Sequence, residues 1–412
     1  MRNVIHESGG GTLVLASDPR RLRARLEQVR RRIPAYRDVG EPGGGLSPLD
    51  FLAQFPVYDK RGLLEQGGRL FELELDSAVV LSETSGTTGM PALVTPRSAE
   101  EMRWNSRNIA RAFSTTLVPA LDRVAILHPA IMSPFAEACG LALAQLGIPY
   151  LRIYPIPKVC NYERLIRVLR SYDITAIMTT ATLAYKVLYE RSLLDAARAV
   201  WKVDKYLLTG ELLTEASLRN MSAISGGEAS VFVYGSSEAA TCFIGCERGK
   251  YHPCLRDFVF ELVPTDGRHA YYELLITWLN TGVRPLIRYN THDVVSYGVG
   301  CQCGYTGVWL DAHGRNTEDA LGFERRRKLD EIVFGVGASV YHYDLSVGPA
   351  EAVLTVILDA EPPAGEGKRV ARLLAETVRQ KLGFPVRVEV NPAGHEFYDF
   401  SPTTKTERVS RD

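Results

Sequence analysis

Several familiar features are scarce or missing in this chain of 412 residues. Net charge is zero, because Lys plus Arg and Asp plus Glu each number 48, so no global field recruits nucleic acid or anionic lipid. There is no apolar run of about eighteen residues, the length a membrane span requires. The opening MRNVIHESGGGTLVL lacks the long apolar core of a secretory signal. Cysteines number seven; an odd count in a long chain argues against a disulfide framework and suits a reducing cytoplasm. Glycine runs are confined to GGG at 9–11 and GEPGGG at 40–45, which read as loops, and repeats and low-complexity segments are lacking. Lysine is missing from LSETSGTTGM (81–90), a loop of the kind that usually holds phosphate.

What is present is ordinary for a globular protein: 46% hydrophobic and 23% charged residues. The length exceeds one ordinary core and predicts two domains, one large and one small. DPRRLRARLEQVRRRIPAYRD (18–38) predicts a basic amphipathic helix, with Leu22, Leu26, Val29 and Ile33 at helical spacing. A nucleic-acid or membrane arm is one reading; a solvated face on a packed helix is favoured, because Ala and Leu interleave and the overall charge is zero.

From about 120 the pattern alternates. Strands are expected at 124–130, 149–155, 175–181, 204–210 and 230–235, with helices at 134–147, 161–173, from 182 to about 200, and at 214–224. Such alternation builds a doubly wound, mostly parallel α/β sheet whose ligands sit beyond the carboxyl ends of the strands. TGE (209–211) and YGSSEAA (234–240) lie at such ends. After about 256, DFVFELV, YYELLITWL and RPLIRYNTHDVVSY predict antiparallel strands, and GVWLDAHGRNTED (307–319) reads as turn-rich, with a domain boundary there: 1–313 and 314–412. AVLTVILDA, GKRVARLLAETVRQKLG and PVRVEV predict a small strand–helix–strand unit.

The loop after LELDSAVVL has the makings of a phosphate nest. Gly86 and Gly89 let backbone N–H groups converge, and Ser85, Thr87 and Thr88 add hydroxyls. It is not a Walker loop, which needs G-x-x-x-x-G-K-[ST]. A second constellation is Cys246, His252, Cys301 and Cys303, from CERGKYH and CQCG. Thiolates and an imidazole at these spacings can close a tetrahedral zinc site, with Cys254 as a substitute ligand or a bystander; small buried thiols are the plainer alternative.

Taken in order, SETSGTTGMP, TGE, YGSSE, RYNTHD, GRNTED and a late lysine in SPTTKTER resemble the adenylate-forming superfamily. RRIPAYRD, FPVYDKRGLL and CQCG are most similar to its phenylacetate–CoA ligase branch. The resemblance covers nearly the whole chain. It implies a large AMP-binding domain with parallel sheets and an antiparallel subdomain, followed by a small mobile α+β domain. It implies an ATP- and Mg²⁺-dependent ligase that turns an organic acid, expected to be aromatic, into an acyl-AMP and passes it to coenzyme A, a carrier protein or an amine. By the resemblance, Ser85 to Gly89 grip the β- and γ-phosphates, with Thr87 central. Gly210 and Glu211 lie beside the adenine. Tyr234, within the stretch Gly235, Ser236 and Ser237, stacks near the base. Glu238 binds Mg²⁺. Asp293 takes the ribose hydroxyls and Arg315 the ribose or phosphate. Lys405 bridges the carboxylate and the α-phosphate. His128, Ile131, Met132 and Phe135 wall the acyl pocket with Ala239 and Ala240, and the cysteine cluster holds structural zinc. No nucleic-acid or membrane partner is implied, and a homodimer is compatible.

These roles make chemical sense. Attack on a polyanion builds charge that a lysine, backbone donors and a metal can stabilise, and an ionised Asp is an acceptor suited to a vicinal diol. Departures matter too. Met90 stands where the branch usually has lysine, and Ala92 where the wider superfamily often does. GRNTED is one residue longer than the usual hinge motif, leaving Glu318 or Asp319 as hinge. LGFERRRKLDEIVFG (321–335) replaces the segment that assembles the thioester-forming site. The acyl-adenylate half-reaction is therefore the firmer expectation. The rival from another class is a non-catalytic nucleotide-binding scaffold descended from such a ligase.

Overall fold

A computed structural model of the chain describes residues 4–7, 11–41, 45–84, 91–128, 133–156, 158–194, 202–265, 268–316, 321–348, 351–359, 361–392 and 408–411. The chain divides into two compact units. One comprises residues 1–116, 132–145 and 233–316, the other 117–131, 146–232 and 317–412.

In the second unit, the alternating pattern becomes a five-stranded sheet. Its order is Tyr150–Arg152, Val124–Leu127, Ala176–Thr179, Lys205–Leu208 and Glu228–Val231, and every pair is parallel. Val124–Leu127 and Ala176–Thr179 are buried at every position, as expected of parallel strands covered on both faces. The helix Tyr162–Ser171 starts where the Asn161 side chain accepts from the Arg164 N–H, and Glu215–Ser225 starts with a reciprocal Thr214–Ser217 cap.

One expectation is corrected here. SVFVYG is not a single strand. Glu228–Val231 ends the parallel sheet, the Phe232 N–H makes a last bond to the Leu208 carbonyl (2.8 Å), and Val233–Ser236 opens a different sheet. Continuous hydrophobicity hid the change of partner.

Residues 317–412 contribute a four-stranded sheet ordered Arg387–Val390, Ala352–Ile357, His342–Val347 and Val409–Arg411. The central pair is antiparallel and the outer pairs are parallel. Ala352–Ile357, the helix Glu366–Leu382 and Arg387–Val390 form the expected strand–helix–strand unit. LGFERRRKLDEIVFG yields the helix Gly322–Phe334. This segment shares one buried core with the parallel sheet's helices. Tyr185 stacks on Phe334 at 5.1 Å and 7°, and Asn220 exchanges bonds with the Val340 backbone at 2.6 and 3.3 Å.

The first unit is built on a nine-stranded antiparallel sheet. Its order is Val4–Glu7, Leu13–Ala16, Phe258–Thr265, Arg268–Trp278, Tyr289–Val299, Val308–Arg315, Tyr251–Pro253, Ala240–Gly245 and Val233–Ser236. The turn-rich reading of GVWLDAHGRNTED is overturned at its start, since Val308–Arg315 is a regular strand paired along Tyr289–Val299. Alternate burial of Val308 and Leu310, with buried His313 bonded to Ser296 (2.8 Å), supports it. The helix Ala99–Phe113 carries a Ser98–Glu101 capping box and buries Trp104 edge-on against Trp278 at 5.2 Å.

The basic helix runs Pro19–Arg32, capped by Asp18. Its arginines are largely occupied within the unit. Arg25 makes a buried fork to Glu72 (2.7 and 2.6 Å), and Arg21 reaches Asn280 (2.6 Å). The packed-helix reading fits this; no helix among the described residues is long and apolar enough to cross a membrane.

Candidate functional site

Three of the expected nucleotide residues converge in the first unit. Asp293 and Arg315 face each other in the register of adjacent strands, and the Arg315 Nε donates to Asp293 Oδ1 at 3.2 Å. The Tyr234 hydroxyl, from the edge strand Val233–Ser236, donates to Asp293 Oδ2. Burial first, and the Asp293 charge second, push the Tyr234 phenol well above its ordinary pKa, so it stays protonated and remains a donor. Burial works against the charge of Arg315, but Asp293 more than offsets this and raises its pKa. Asp293 thus accepts from a guanidinium on one carboxylate oxygen and from a phenol on the other.

Glu238 sits in the turn between Val233–Ser236 and Ala240–Gly245 and is buried. A β-bulge between Tyr234 and Gly235 and the left-handed Ala240 (φ 65°) make this turn tight. A Cβ on Gly235 would lie 2.1 Å from the Ala240 carbonyl oxygen, so glycine is required. The Ser236 hydroxyl accepts from the Ala239 N–H at 3.0 Å, and Ala239 and Ala240 are buried. Arg97 pins the turn from below: it donates to the Ser237 and Glu238 carbonyls at 2.5 and 2.9 Å and pairs with buried Glu101 at 3.4 Å. The Glu238 backbone is therefore fixed while its carboxylate accepts no side-chain or backbone hydrogen bond among the described residues. A buried, uncommitted carboxylate on a rigid turn suits a hard cation such as Mg²⁺.

The cysteine constellation also assembles in this unit. The ligand atoms of Cys246, His252, Cys301 and Cys303 all lie within 4.8 Å of one another. Cys246 Sγ is 3.8 Å from Cys301 Sγ, and Cys303 Sγ is 3.6 Å from His252 Nε2. Zinc bonds of about 2.3 Å to sulfur and about 2.0 Å to nitrogen imply tetrahedral edges of about 3.5–3.8 Å, so the set fits that ion. The His252 ring stacks on Tyr305 at 4.2 Å. Burial pushes the Cys246 thiol up to about 12 in the metal-free protein, a cost a bound cation would reverse. Cys254 is buried outside the group.

In the second unit, Glu211 Oε2 accepts from the Thr182 N–H and hydroxyl, both at 2.9 Å, and so caps the helix Ala181–Leu194. Gly210 precedes it with φ 83°. His128 ends the strand Val124–Leu127, half-buried, and Phe135 in the other unit begins the helix Phe135–Leu146. Ser85, Gly86, Thr87, Thr88, Gly89, Ile131, Met132, Glu318, Asp319 and Lys405 lie outside the described residues. Arg408, three residues beyond Lys405, is described: it bonds Asp330 Oδ1 at 2.7 Å, and Asp330 Oδ2 accepts from the Thr214 hydroxyl at 2.6 Å. This network ties the tail strand to the cap of the helix that follows Gly210 and Glu211.

Sequence reasoning passed over Arg97, Glu101, Arg284, Thr182 and Asp330. Only Glu101 carried a usable signal, the S-x-x-E capping box at 98–101.

No family model matches the sequence, and no curated protein sequence matches it. Solved structures do. 2-Hydroxyisobutyryl-CoA ligase, in its postadenylation state with 2-HIB-AMP, is similar at a TM-score of 0.76 with 17% identity, over 95% of this chain and 88% of that one. The anthranilate CoA ligase AuaEII, in complex with anthranoyl-AMP, is similar at 0.56 with 14% identity over 81% and 66%. The amide bond synthetase McbA from Marinactinospora thermotolerans follows at 0.50 with 15% identity over 76% and 65%. The chain therefore has the fold of the adenylate-forming superfamily.

Proposed function

We propose that this protein uses ATP to activate a small organic acid, aromatic by preference, as an acyl-AMP, and then passes the acyl group to a thiol or an amine. In the first step a carboxylate oxygen bonds to the α-phosphorus, the bond to the β-phosphate oxygen breaks, and pyrophosphate leaves. In the second, the acceptor sulfur or nitrogen attacks the acyl carbon, AMP departs and the acceptor loses its proton. The observation that carries the reading is the Tyr234–Asp293–Arg315 arrangement beside the Glu238 turn, in a chain with this fold.

Each residue then has a task. Asp293, oriented by Tyr234 and Arg315, accepts hydrogen bonds from the ribose diol. Glu238 would hold Mg²⁺, which when bound neutralises phosphate charge. Ser85 to Gly89 offer backbone and hydroxyl donors to the phosphates. With Met90 replacing a lysine, nucleotide binding is weakened rather than lost. Gly210 and Glu211 border the adenine. Lys405 neutralises the α-phosphate and the incoming carboxylate. Small, buried Ala239 and Ala240 favour a flat acyl group, with His128, Ile131, Met132 and Phe135 as further walls. Cys246, His252, Cys301 and Cys303 would hold structural zinc, since four protein ligands leave no open position for water. Coenzyme A is the first acceptor to test; a carrier-protein thiol and an amine follow. A large domain to residue 313 and a lysine-bearing part from 314 remain the proposed division of labour.

The test is acid-dependent exchange of labelled pyrophosphate into ATP, screened over aryl and alkyl acids. Exchange with a subset of acids is expected. None with any acid would favour a nucleotide-binding scaffold without catalysis. Mass analysis of the product, with and without coenzyme A, identifies the acceptor.

A further inference from the structure

Arg284 lies in NTGVRPLIRYN, on the loop between the strands Arg268–Trp278 and Tyr289–Val299. Two buried carboxylates fix this loop. Glu101 accepts from the Val283 N–H at 3.0 Å, and Glu72 accepts from the Gly282 N–H at 3.4 Å. The Glu72 N–H returns a bond to the Val283 carbonyl at 2.9 Å. A Cβ on Gly282 would meet Glu101 Oε1 at 2.8 Å and Trp278 at 3.1 Å, so a side chain there would have to displace the Glu101 carboxylate. Arg284 is therefore presented by a rigid segment.

Its side chain is unusual. Arg284 is 5% exposed and donates no side-chain hydrogen bond among the described residues, and none of its nitrogens is among the fully sealed atoms without a partner, so its donors keep a narrow opening. A guanidinium has five donors, and burying one without partners is costly. The other buried cation nearby, Arg97, bonds Glu101 and the turn carbonyls through its terminal nitrogens and lies over the face of Trp278 at 5.0 Å, leaving only its Nε without a partner. Burial foremost, then repulsion by Arg97, pull Arg284 down to about 10, with Glu238 and Glu101 opposing. It is still a cation at neutral pH. Glu101 already serves Ser98, Arg97 and Val283. Glu238 is left as the countercharge, and a divalent cation on Glu238 would take that away. Arg284 and Arg97 would then share Glu101 as their remaining carboxylate, unless an anion arrives together with the metal.

We propose that Arg284 is an oxyanion-binding residue of the adenylation site, engaging a phosphate of the metal-bound nucleotide or the carboxylate of the acid. The proposal rests on the adenylating reading above. It supplies, from a rigid buried loop, the cation that Met90 removes from the glycine-rich segment. Arginine suits the task because its planar fork meets phosphate and carboxylate oxygens two at a time.

Calorimetric titration of wild type, Arg284→Gln and Arg284→Lys with Mg-pyrophosphate, AMP and a non-hydrolysable Mg-ATP analogue separates the sources. A phosphate contact predicts about tenfold or greater weakening of pyrophosphate and the ATP analogue in Arg284→Gln, partial rescue by Lys, and unchanged AMP binding. A carboxylate contact predicts unchanged titrations and an acid KM raised about tenfold in the exchange assay, with nucleotide KM unchanged. Unchanged affinities and KM values in the Gln variant overturn the proposal. Arg284→Met guards against a folding artefact. An unpartnered buried charge predicts an equal or higher melting temperature for this variant, whereas a drop of several degrees means a packing role and counts against us. If wild type neither exchanges nor binds the ATP analogue, the adenylating reading fails; pyrophosphate binding and the melting comparison still decide Arg284.

Discussion

In the proposed function, Asp293 is the residue on which nucleotide recognition turns. Replacing it with Asn keeps the shape but removes the charge and puts an amide where the ribose diol needs an acceptor. Asp293→Asn should weaken ATP-analogue binding by about 1.5–3 kcal/mol, the range for hydrogen bonds to charged groups, in a calorimetric titration. Tyr234→Phe removes only the orienting donor and should cost about 1 kcal/mol. Equal losses for the two would contradict the division of roles. Tyr234, Asp293 and Arg315 could be singled out because each stands in a short motif, and the structure brings their side chains together. Arg97 and Arg284 could not, because a charge in a string of letters looks the same whether it ends in water or beneath a turn. Their burial depends on Glu101, Glu238 and Trp278, which are far apart in the chain.

At the scale of elements, two small assemblies carry predictions. The Thr214–Asp330–Arg408 network links a helix cap, the helix Gly322–Phe334 and the tail strand. Asp330→Ala should leave the largely buried Arg408 without its counterion and cost about 3 kcal/mol in urea unfolding, while Thr214→Ala should cost about 1. A double Asp330→Leu, Arg408→Met variant should recover most of the loss, since a buried pair is often replaceable by apolar groups. The cysteine cluster is the second. One zinc per chain is expected by metal analysis. Cys301→Ser should abolish it and lower the melting temperature, and Cys254→Ser should leave the metal in place. Undiminished zinc in Cys301→Ser would refute the ligand set. The ligand spacing was readable in CERGKYH and CQCG because both runs are local. The helix-capping role of Glu211 was not, since its partner Thr182 lies on another crossover.

Across the whole molecule, periodicity gave the parallel sheet and its order of strands and helices, because buried parallel strands are short apolar runs set between helices. It failed where a chain changes sheets without changing hydrophobicity, at Phe232, and where polar letters disguise a paired strand, at Val308–Arg315. The tail was legible as strand–helix–strand, but its shared core with the parallel sheet's helices was not, since Phe334 and Tyr185 stack across 149 positions of sequence. That core, closed by Arg408, holds the strand that follows the late lysine. The central claim is that this chain makes acyl-adenylates with Lys405 at the reacting centre. The decisive measurement is acid-dependent pyrophosphate–ATP exchange by Lys405→Ala beside wild type, with ATP-analogue binding followed in both. The account predicts exchange lost in the variant and binding retained; exchange at the wild-type rate without that lysine would contradict it.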